Sequence, residues 1–131
     1  LALIKKEFVM KIIVKHAQFE PQSGKVLGYT PVAEVNVPVE ISSSSTIDDC
    51  LEYAWRYTNN VDGSWSLKIG DDANDNVTVL EDLSISKRTG KPMGLRSSMT
   101  GDRLDVDGDE YKVAMSGFKK VQKVEMEIQN G

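Results

Sequence analysis

The stretch "GLRSSMTGDRLDVDGDEYKVAMSGF", residues 94–118, has the clearest strand, turn and strand pattern of the chain. Asp107-Gly108 suits the positive φ angles of a two-residue hairpin turn. Pairing across that turn places Leu104 opposite Tyr111 on one face of a sheet. The stretch therefore predicts an antiparallel hairpin. The apolar face of its second strand would continue through Tyr111, Val113 and Met115, and Gly117 would end that strand.

Further strands are expected on both sides of this hairpin. Residues 11–19 combine an apolar run with alternation, which predicts a first strand. Residues 32–41 alternate strictly, and Pro38 among them predicts an edge strand or a bulge, because proline cannot donate to a β-ladder. "VTVL", residues 77–80, indicates a short strand. "FKKVQKVEMEI" predicts a last strand with three apolar residues on one side, namely Val124, Met126 and Ile128.

One helix is expected between these strands, over residues 47–58. Thr46 is a hydroxyl N-cap, and Asp48 and Asp49 follow it in the first turn, where free amides favour acids. Apolar residues then recur at three- and four-residue spacing, and Glu52 and Arg56 form a pair four apart. The sequence predicts an α+β fold in which one main helix packs on a mostly antiparallel sheet. The expected core includes Leu51, Trp55, Leu104, Tyr111 and Val113.

Composition and length are those of an ordinary globular chain with one domain. The 131 residues are 40% hydrophobic and 27% charged, which argues against a disordered or fibrous class. The single cysteine, Cys50, excludes an intramolecular disulfide and a multi-cysteine zinc site. No apolar run approaches the roughly 18 residues that a membrane span needs. We therefore expect a cytoplasmic protein.

Charge is unevenly distributed along the chain. Residues 40–86 contain ten acids and two bases, whereas residues 87–123 contain nine bases and five acids. Two interpretations are open: the two segments attract each other within the fold as solvated faces, or one of them is a docking surface for a partner of opposite sign.

The C-terminal half also carries a family resemblance. Its residues fit the pattern R-S-x-x-x-G-D…D-G-x-x-Y-x-V-A-x-x-G-F, from Arg96 to Phe118. This pattern resembles the C-terminal segment of small uncharacterised proteins of bacteriophages and bacterial mobile elements. "EYAWRYTNNVDGSW", residues 52–65, is similar to the aromatic helix and the asparagine and tryptophan turn of those proteins. The resemblance implies a phage-type origin and a fold, and no activity or cofactor.

Catalytic and metal-binding patterns are weak throughout. His16 is the only histidine and has no recognisable partner in the sequence, and Cys50 lies on the apolar helix face as a core residue. The acids of residues 71–82 form a turn-rich stretch that we expect to be solvated. Within it "GDDANDN" has the oxygen spacing of a calcium loop but lacks the glycine and the glutamate that such a loop requires, so an acidic turn is favoured. We expect no enzyme activity, no metal and no cofactor.

Two binding hypotheses remain, and they belong to different classes. The first is an accessory or regulatory protein that acts through a host or phage protein. The second is a nucleic-acid-binding module that uses the basic region 87–103, although base-stacking aromatics are scarce there. Arg96 has a competing structural role, since it could pair with Asp102 and fix the loop. The candidate binding residues are Lys87, Arg88, Lys91, Arg96, Ser97 and Arg103.

Residues 1–9 are predicted to be a translated leader. The codons of Lys5-Lys6-Glu7 can contain AAGGAG, a bacterial ribosome-binding sequence, shortly before the codon of Met10. A reading frame extended past the true start in environmental or phage DNA would produce such a segment, and the natural chain would begin at Met10. The alternative is a genuine N-terminal segment whose apolar side chains cover part of the core. Those side chains are Leu1, Leu3, Ile4 and Phe8.

Overall fold

The computed structural model of the protein describes residues 10–43 and 45–122. These residues form a six-stranded antiparallel sheet, a second small hairpin, one short helix and one main helix, which confirms the predicted α+β class. No helix in the described ranges has both the length and the apolar character to span a bilayer. The strands are β1 (Lys11–Phe19), β2 (Val26–Asn36), β3 (Gly63–Ser64), β4 (Ile69–Gly70), β5 (Val77–Val79), β6 (Arg103–Val106), β7 (Asp109–Val113) and β8 (Phe118–Lys120). The helices are α1 (Val39–Ser42) and α2 (Ile47–Arg56).

The six-stranded sheet has the order β5-β2-β1-β6-β7-β8, and every neighbouring pair is antiparallel. The predicted hairpin joins β6 to β7, and Leu104 pairs with Tyr111 as expected. Asp107 and Gly108 have φ angles of 51° and 90°, which are the signs that a type I′ turn requires. The long β1–β2 hairpin lies in the middle of the sheet and joins this pair to β5.

Helix α2 begins at Ile47, as predicted, and ends at Arg56, two residues before the predicted end at Thr58. The Thr46 hydroxyl accepts a hydrogen bond from the Asp49 backbone amide, and the Asp49 carboxylate accepts one from the Thr46 backbone amide. These two hydrogen bonds form a capping box. Arg56, in the last turn, forms its ion pair with Asp72 at 3.1 Å. The predicted contact of Arg56 with Glu52 is not among the ion pairs of the structure.

The core lies between one face of the sheet, helix α2 and the β3–β4 hairpin. The predictions of Leu51, Leu104 and Val113 as core residues are confirmed, whereas Trp55 and Tyr111 are half-buried at its margin. Trp65 is fully buried instead. Its indole N–H donates to the Arg96 carbonyl at 2.9 Å, so the large ring is buried without leaving its polar atom unpaired.

The opposite face of the sheet is open and carries charged side chains. Neighbours across the strands share a face, and Lys15 pairs in register with Arg103, which pairs with Lys112. The core residues Val14 and Leu104 occupy the adjacent row and point to the other side. One face of the sheet is thus packed against the core, and the other carries the charged side chains.

Three details of the predicted strands were wrong. The strand expected over residues 32–41 ends at Asn36, because Pro38 begins the helical turn of α1, where its fixed φ of −57° fits. That strand is also flanked by β5 and β1, so it is not an edge. Met115 lies beyond β7 and is 95% exposed.

Two other predictions fall on residues outside the described ranges. They are the leader, residues 1–9, and the apolar side of the last strand at Val124, Met126 and Ile128. Within the described part of that strand, Phe118–Lys120 is β-strand.

Candidate functional site

An open cleft of about 470 Å³ lies between helix α2 and the connection from β7 to β8. Trp55 and Glu52 border it on the helix side, one turn apart, and Phe118 borders it on the strand side. The remaining lining residues are Ser98, Met99, Thr100, Val113, Ala114, Met115 and Gly117. The cleft is therefore mainly apolar, with one carboxylate at its rim.

The β7–β8 connection gives the cleft its exposed apolar wall. Gly117 adopts φ +72°, a left-handed angle that suits glycine, and the Ala114 amide donates to its carbonyl at 3.0 Å. This tight turn leaves Met115 95% exposed, while Met99 on the facing loop is 46% exposed. Methionine side chains are flexible and polarisable, so they adapt to partners of different shape.

The floor of the cleft rests on a buried polar network. Ser98 Oγ lies 3.0 Å from His16 Nε2 and 2.8 Å from Thr58 Oγ1, and the Ser98 amide donates to the Thr58 carbonyl at 2.9 Å. All three residues are buried. The network ties strand β1, the end of helix α2 and the loop before β6 together.

Asp102 fixes the other side of this loop. Its carboxylate is fully buried and accepts both guanidinium arms of Arg96 at 2.8 and 2.9 Å. It also accepts the amides of Ala17 and Met99. Burial by itself would raise the pKa of Asp102, but the Arg96 hydrogen bonds and these amides hold it below its usual value.

His16 shares this environment and is neutral at physiological pH. Burial, and to a smaller extent the positive charge of Arg96, lower its pKa from 6.5 to about 4, although the negative charge of Asp102 opposes this shift. The expectation that His16 has no partner is therefore wrong, because Ser98 and Asp102, which are distant in the sequence, lie beside its ring in the fold.

Ser98, His16 and Asp102 are not arranged as a Ser-His-Asp relay. Ser98 and Asp102 both approach the same ring nitrogen, at 3.0 and 3.9 Å, whereas a relay carboxylate binds the opposite nitrogen. We interpret the cluster as a network that shapes the floor of the cleft.

The predicted binding residues divide into two groups. Lys87, Arg88 and Lys91 are exposed together on a loop that the Ile85 and Pro92 bridge closes. Arg96 and Ser97 hold the fold instead. Arg96 pairs with Asp102 as the structural alternative predicted, and Ser97 Oγ accepts the Asn60 amide at 2.8 Å.

Arg103 belongs to neither group. It is 4% exposed and its guanidinium lies over the Tyr29 ring, 4.6 Å from the centroid, on the open face of the sheet. The structure thus does not gather the six predicted residues into one surface.

The acidic loop is less solvated than predicted. Asp72 is fully buried and accepts the Val61 and Asp62 amides at 2.9 Å, in addition to Arg56. Asn74 donates to the Tyr53 hydroxyl at 2.9 Å, as Asn76 does at 3.0 Å. The side chains that suggested a calcium loop therefore form hydrogen bonds or ion pairs within the chain, Asp72 with one set of partners and both asparagines with Tyr53. In residues 10–43 and 45–122, no group of three or more His, Cys, Asp or Glu residues is placed to hold a metal.

The acidic and basic segments do not pair with each other in the ion pairs that the structure gives. Leaving Glu40 aside, the described acids of residues 40–86 form one pair, Arg56 with Asp72, inside their own segment. Among the bases of residues 87–122, Arg96 pairs with Asp102 and Lys120 with Asp109, both acids of the same segment. The hypothesis that the segments attract each other directly thus has no support from these pairs.

Sequence reasoning missed the cleft. Met115 and Phe118 were predicted as strand residues, and Met99 was given no role. The signal that could have found the methionines is that each stands two residues before a glycine, Gly101 or Gly117, which has a positive φ angle. No family model matches the chain, and comparison with curated proteins and with solved structures finds no match either.

Proposed function

We propose that the protein is a non-catalytic accessory or regulatory protein of phage type, which acts by binding a host or phage protein at the cleft. The observation that carries this proposal is the 95% exposure of Met115 beside the cleft. An apolar side chain so exposed gains free energy only when a partner covers it.

The chemistry of the cleft indicates what kind of segment would bind there. Trp55, Met99 and Phe118 offer aromatic and thioether surface, which is typical of interface anchors and of adaptable binding surfaces. Glu52 stands at the rim, and Asp48 lies one helical turn before it on the same side of α2. The complementary partner is therefore a segment with apolar anchors and a flanking lysine or arginine.

Selection of peptides from a random display library against the immobilised protein tests this proposal. We expect enriched peptides to combine apolar residues with neighbouring bases. Calorimetry with one such peptide should show binding that Met115→Ser weakens about tenfold, the effect of losing one well-packed anchor.

Met93→Ser is the matched control, because Met93 is also exposed, at 49%, but lies on the loop of residues 84–93. Both variants should keep the melting temperature of the parent. Equal loss of affinity in the two variants, or no enrichment of apolar and basic peptides, would contradict the proposal. Turnover of a nucleotide or peptide substrate by the purified protein would contradict its non-catalytic part.

Nucleic-acid binding through the basic region 87–103 is the alternative, and its support is the exposed group of Lys87, Arg88 and Lys91. Arg96 contributes little to it, since Asp102 neutralises its charge. Retention on heparin at low salt, lost as salt rises and reduced by Lys87→Gln with Lys91→Gln, would favour this alternative.

A further inference from the structure

The most exposed methionine of the described residues stands at the cleft. Met115 is 95% exposed, against 49% for Met93 and 46% for Met99. It follows strand β7 in the turn that the hydrogen bond from the Ala114 amide to the Gly117 carbonyl closes. A side chain so exposed leaves its thioether sulfur open to small molecules in solution.

The thiol that could compete for an oxidant is shielded. Cys50 is the single cysteine of the chain, and it lies in the core at 1% exposure. Burial raises the pKa of its thiol, and the negative charge of Asp49 adds to this shift. The thiolate is the reactive form of cysteine, so Cys50 is both inaccessible and held in its less reactive form. An oxidant in solution is therefore expected to reach Met115 first.

We propose that Met115 is an oxidation site whose oxidant is a peroxide and whose oxidation controls partner binding at the cleft. This inference rests on the proposed function, because it needs a partner that covers Met115. The sulfur attacks one oxygen of hydrogen peroxide, so that an S–O bond forms and the O–O bond breaks. The sulfur gives up two electrons, and the other oxygen leaves as hydroxide, takes the proton of the transferred oxygen and becomes water. The product is methionine sulfoxide.

Oxidation changes the group that a partner would cover from apolar to polar. Trp55, Val113 and Phe118 give the cleft a mainly apolar lining, and a sulfoxide oxygen buried against such a surface without a donor is unfavourable. Partner binding should therefore weaken. A dithiol reductant reverses the change, because it removes the oxygen as water while its two thiols form a disulfide.

Hydrogen peroxide treatment of the whole protein tests the site, with mass spectrometry to follow each methionine and calorimetry with a peptide selected against the untreated protein. Met115 should oxidise about twofold faster than Met93 and Met99, in the order of their exposed fractions. Affinity for the peptide should fall about tenfold along the time course of Met115 oxidation. Methionine sulfoxide reductases supplied with a dithiol should restore it. Oxidation of Met115 no faster than that of Met93, or a loss of affinity that follows another methionine, would overturn the proposal.

Removal of single sulfur atoms separates oxidation of Met115 from damage elsewhere, with each variant compared with its own untreated sample. Met115→Leu has an apolar side chain without sulfur, so peroxide should not change its affinity for the peptide. Met93→Leu is the matched control, because it removes a half-exposed sulfur outside the cleft and should keep the tenfold loss. An equal loss of affinity in the two treated variants would contradict a role of Met115.

The proposed function and this inference fail in different ways. If the untreated protein selects no peptide, the cleft has no partner of the expected kind, and both are wrong. If a peptide binds the untreated protein and binds equally well after Met115 is oxidised, the partner site stands and only its control by oxidation is wrong.

Discussion

The free energy of unfolding should fall between pH 7 and pH 5, mainly because of the single histidine, His16. Burial and the charge of Arg96 lower the pKa of His16 from 6.5 to about 4, while Asp102, with its oxygen 3.9 Å from Nε2, opposes them. The unfolded chain therefore takes up a proton between pH 6.5 and 4 that the folded chain does not. By linkage, the contribution of His16 to stability is complete above pH 6.5 and is lost as pH falls toward 4.

The size of this effect follows from the two pKa values. A shift from 6.5 to about 4 corresponds to about 3 kcal/mol over the whole window, and to about 2 kcal/mol between pH 7 and pH 5. An ordinary carboxyl group has a pKa of about 4 and is mostly ionised at pH 5, so the histidine is the main group expected to change its protonation between these two pH values. The loss is large against a typical stability of 5 to 15 kcal/mol.

Urea denaturation at pH 7 and pH 5 measures the difference, and the one histidine gives one set of ring signals for a direct NMR titration. His16→Gln removes the titrating group and should flatten the dependence between these pH values, whatever its own stability. A ring midpoint near 6.5, or an unchanged pH dependence in His16→Gln, would refute the reasoning that burial keeps this ring neutral.

Three further predictions concern the fold around the cleft. Arg96→Ala should lower the free energy of unfolding by about 3 kcal/mol, because it leaves the fully buried Asp102 carboxylate without its guanidinium partner. If urea denaturation shows this loss while the selected peptide still binds, the role of Arg96 is structural. Gly70→Ala should lower the free energy of unfolding by about 1 kcal/mol more than Gly24→Ala does. Both glycines have φ near +70°, but a β-carbon at Gly70 would lie 1.9 Å from the Asp62 carbonyl oxygen, whereas no atom lies within 4 Å of one at Gly24. Equal losses of stability in urea denaturation would refute the role of this contact. Thr46→Ala should cost about 1 kcal/mol by removing the cap of α2, and a change within error by thermal denaturation would contradict the capping box.

The parts of the fold that the sequence predicted are those set by local chemistry. The β6–β7 hairpin depends on two residues that accept positive φ, and the start of α2 depends on a hydroxyl and an acid three residues apart. Strand β1 was predicted with its observed limits because its apolar run and alternation lie within nine residues. These patterns need no knowledge of distant neighbours.

The errors arose where distant neighbours decide the outcome. Alternation continued from Val32 to Ile41, but Pro38 prevents the ladder, and α1 forms there instead. Trp55 and Trp65 are equally apolar in the sequence, and only the β3–β4 hairpin and the Arg96 carbonyl determine that Trp65 is the one fully buried. Burial of Asp72 likewise depends on Arg56, which the sequence favoured as a partner of Glu52.

The site was predicted in one respect and missed in others. The pairing of Arg96 with Asp102 could be proposed because the two charges lie close in a short loop, and it is confirmed. The cleft could not be proposed, since Met99 and Met115 become neighbours only when the loop before β6 and the turn after β7 meet beside α2. The alignment of Lys15, Arg103 and Lys112 on the open face depends on the strand register, which the sequence predicts only for the hairpin itself.

The resemblance pattern can now be divided by what its residues do. Four of its fixed residues serve architecture: Arg96 and Asp102 pair, Ser97 accepts the Asn60 amide, and Gly117 turns the chain at φ +72°. Of the residues proposed to contact a partner at the cleft, Met99 and Met115 stand at its x positions, whereas Phe118 is one of its fixed residues. The pattern thus specifies a frame and one aromatic contact, and it leaves the two methionine positions free to vary. Chains that share the pattern are therefore expected to share this frame while differing in what they bind, and exchanging only x-position residues between two such chains should exchange their partners without a loss of melting temperature.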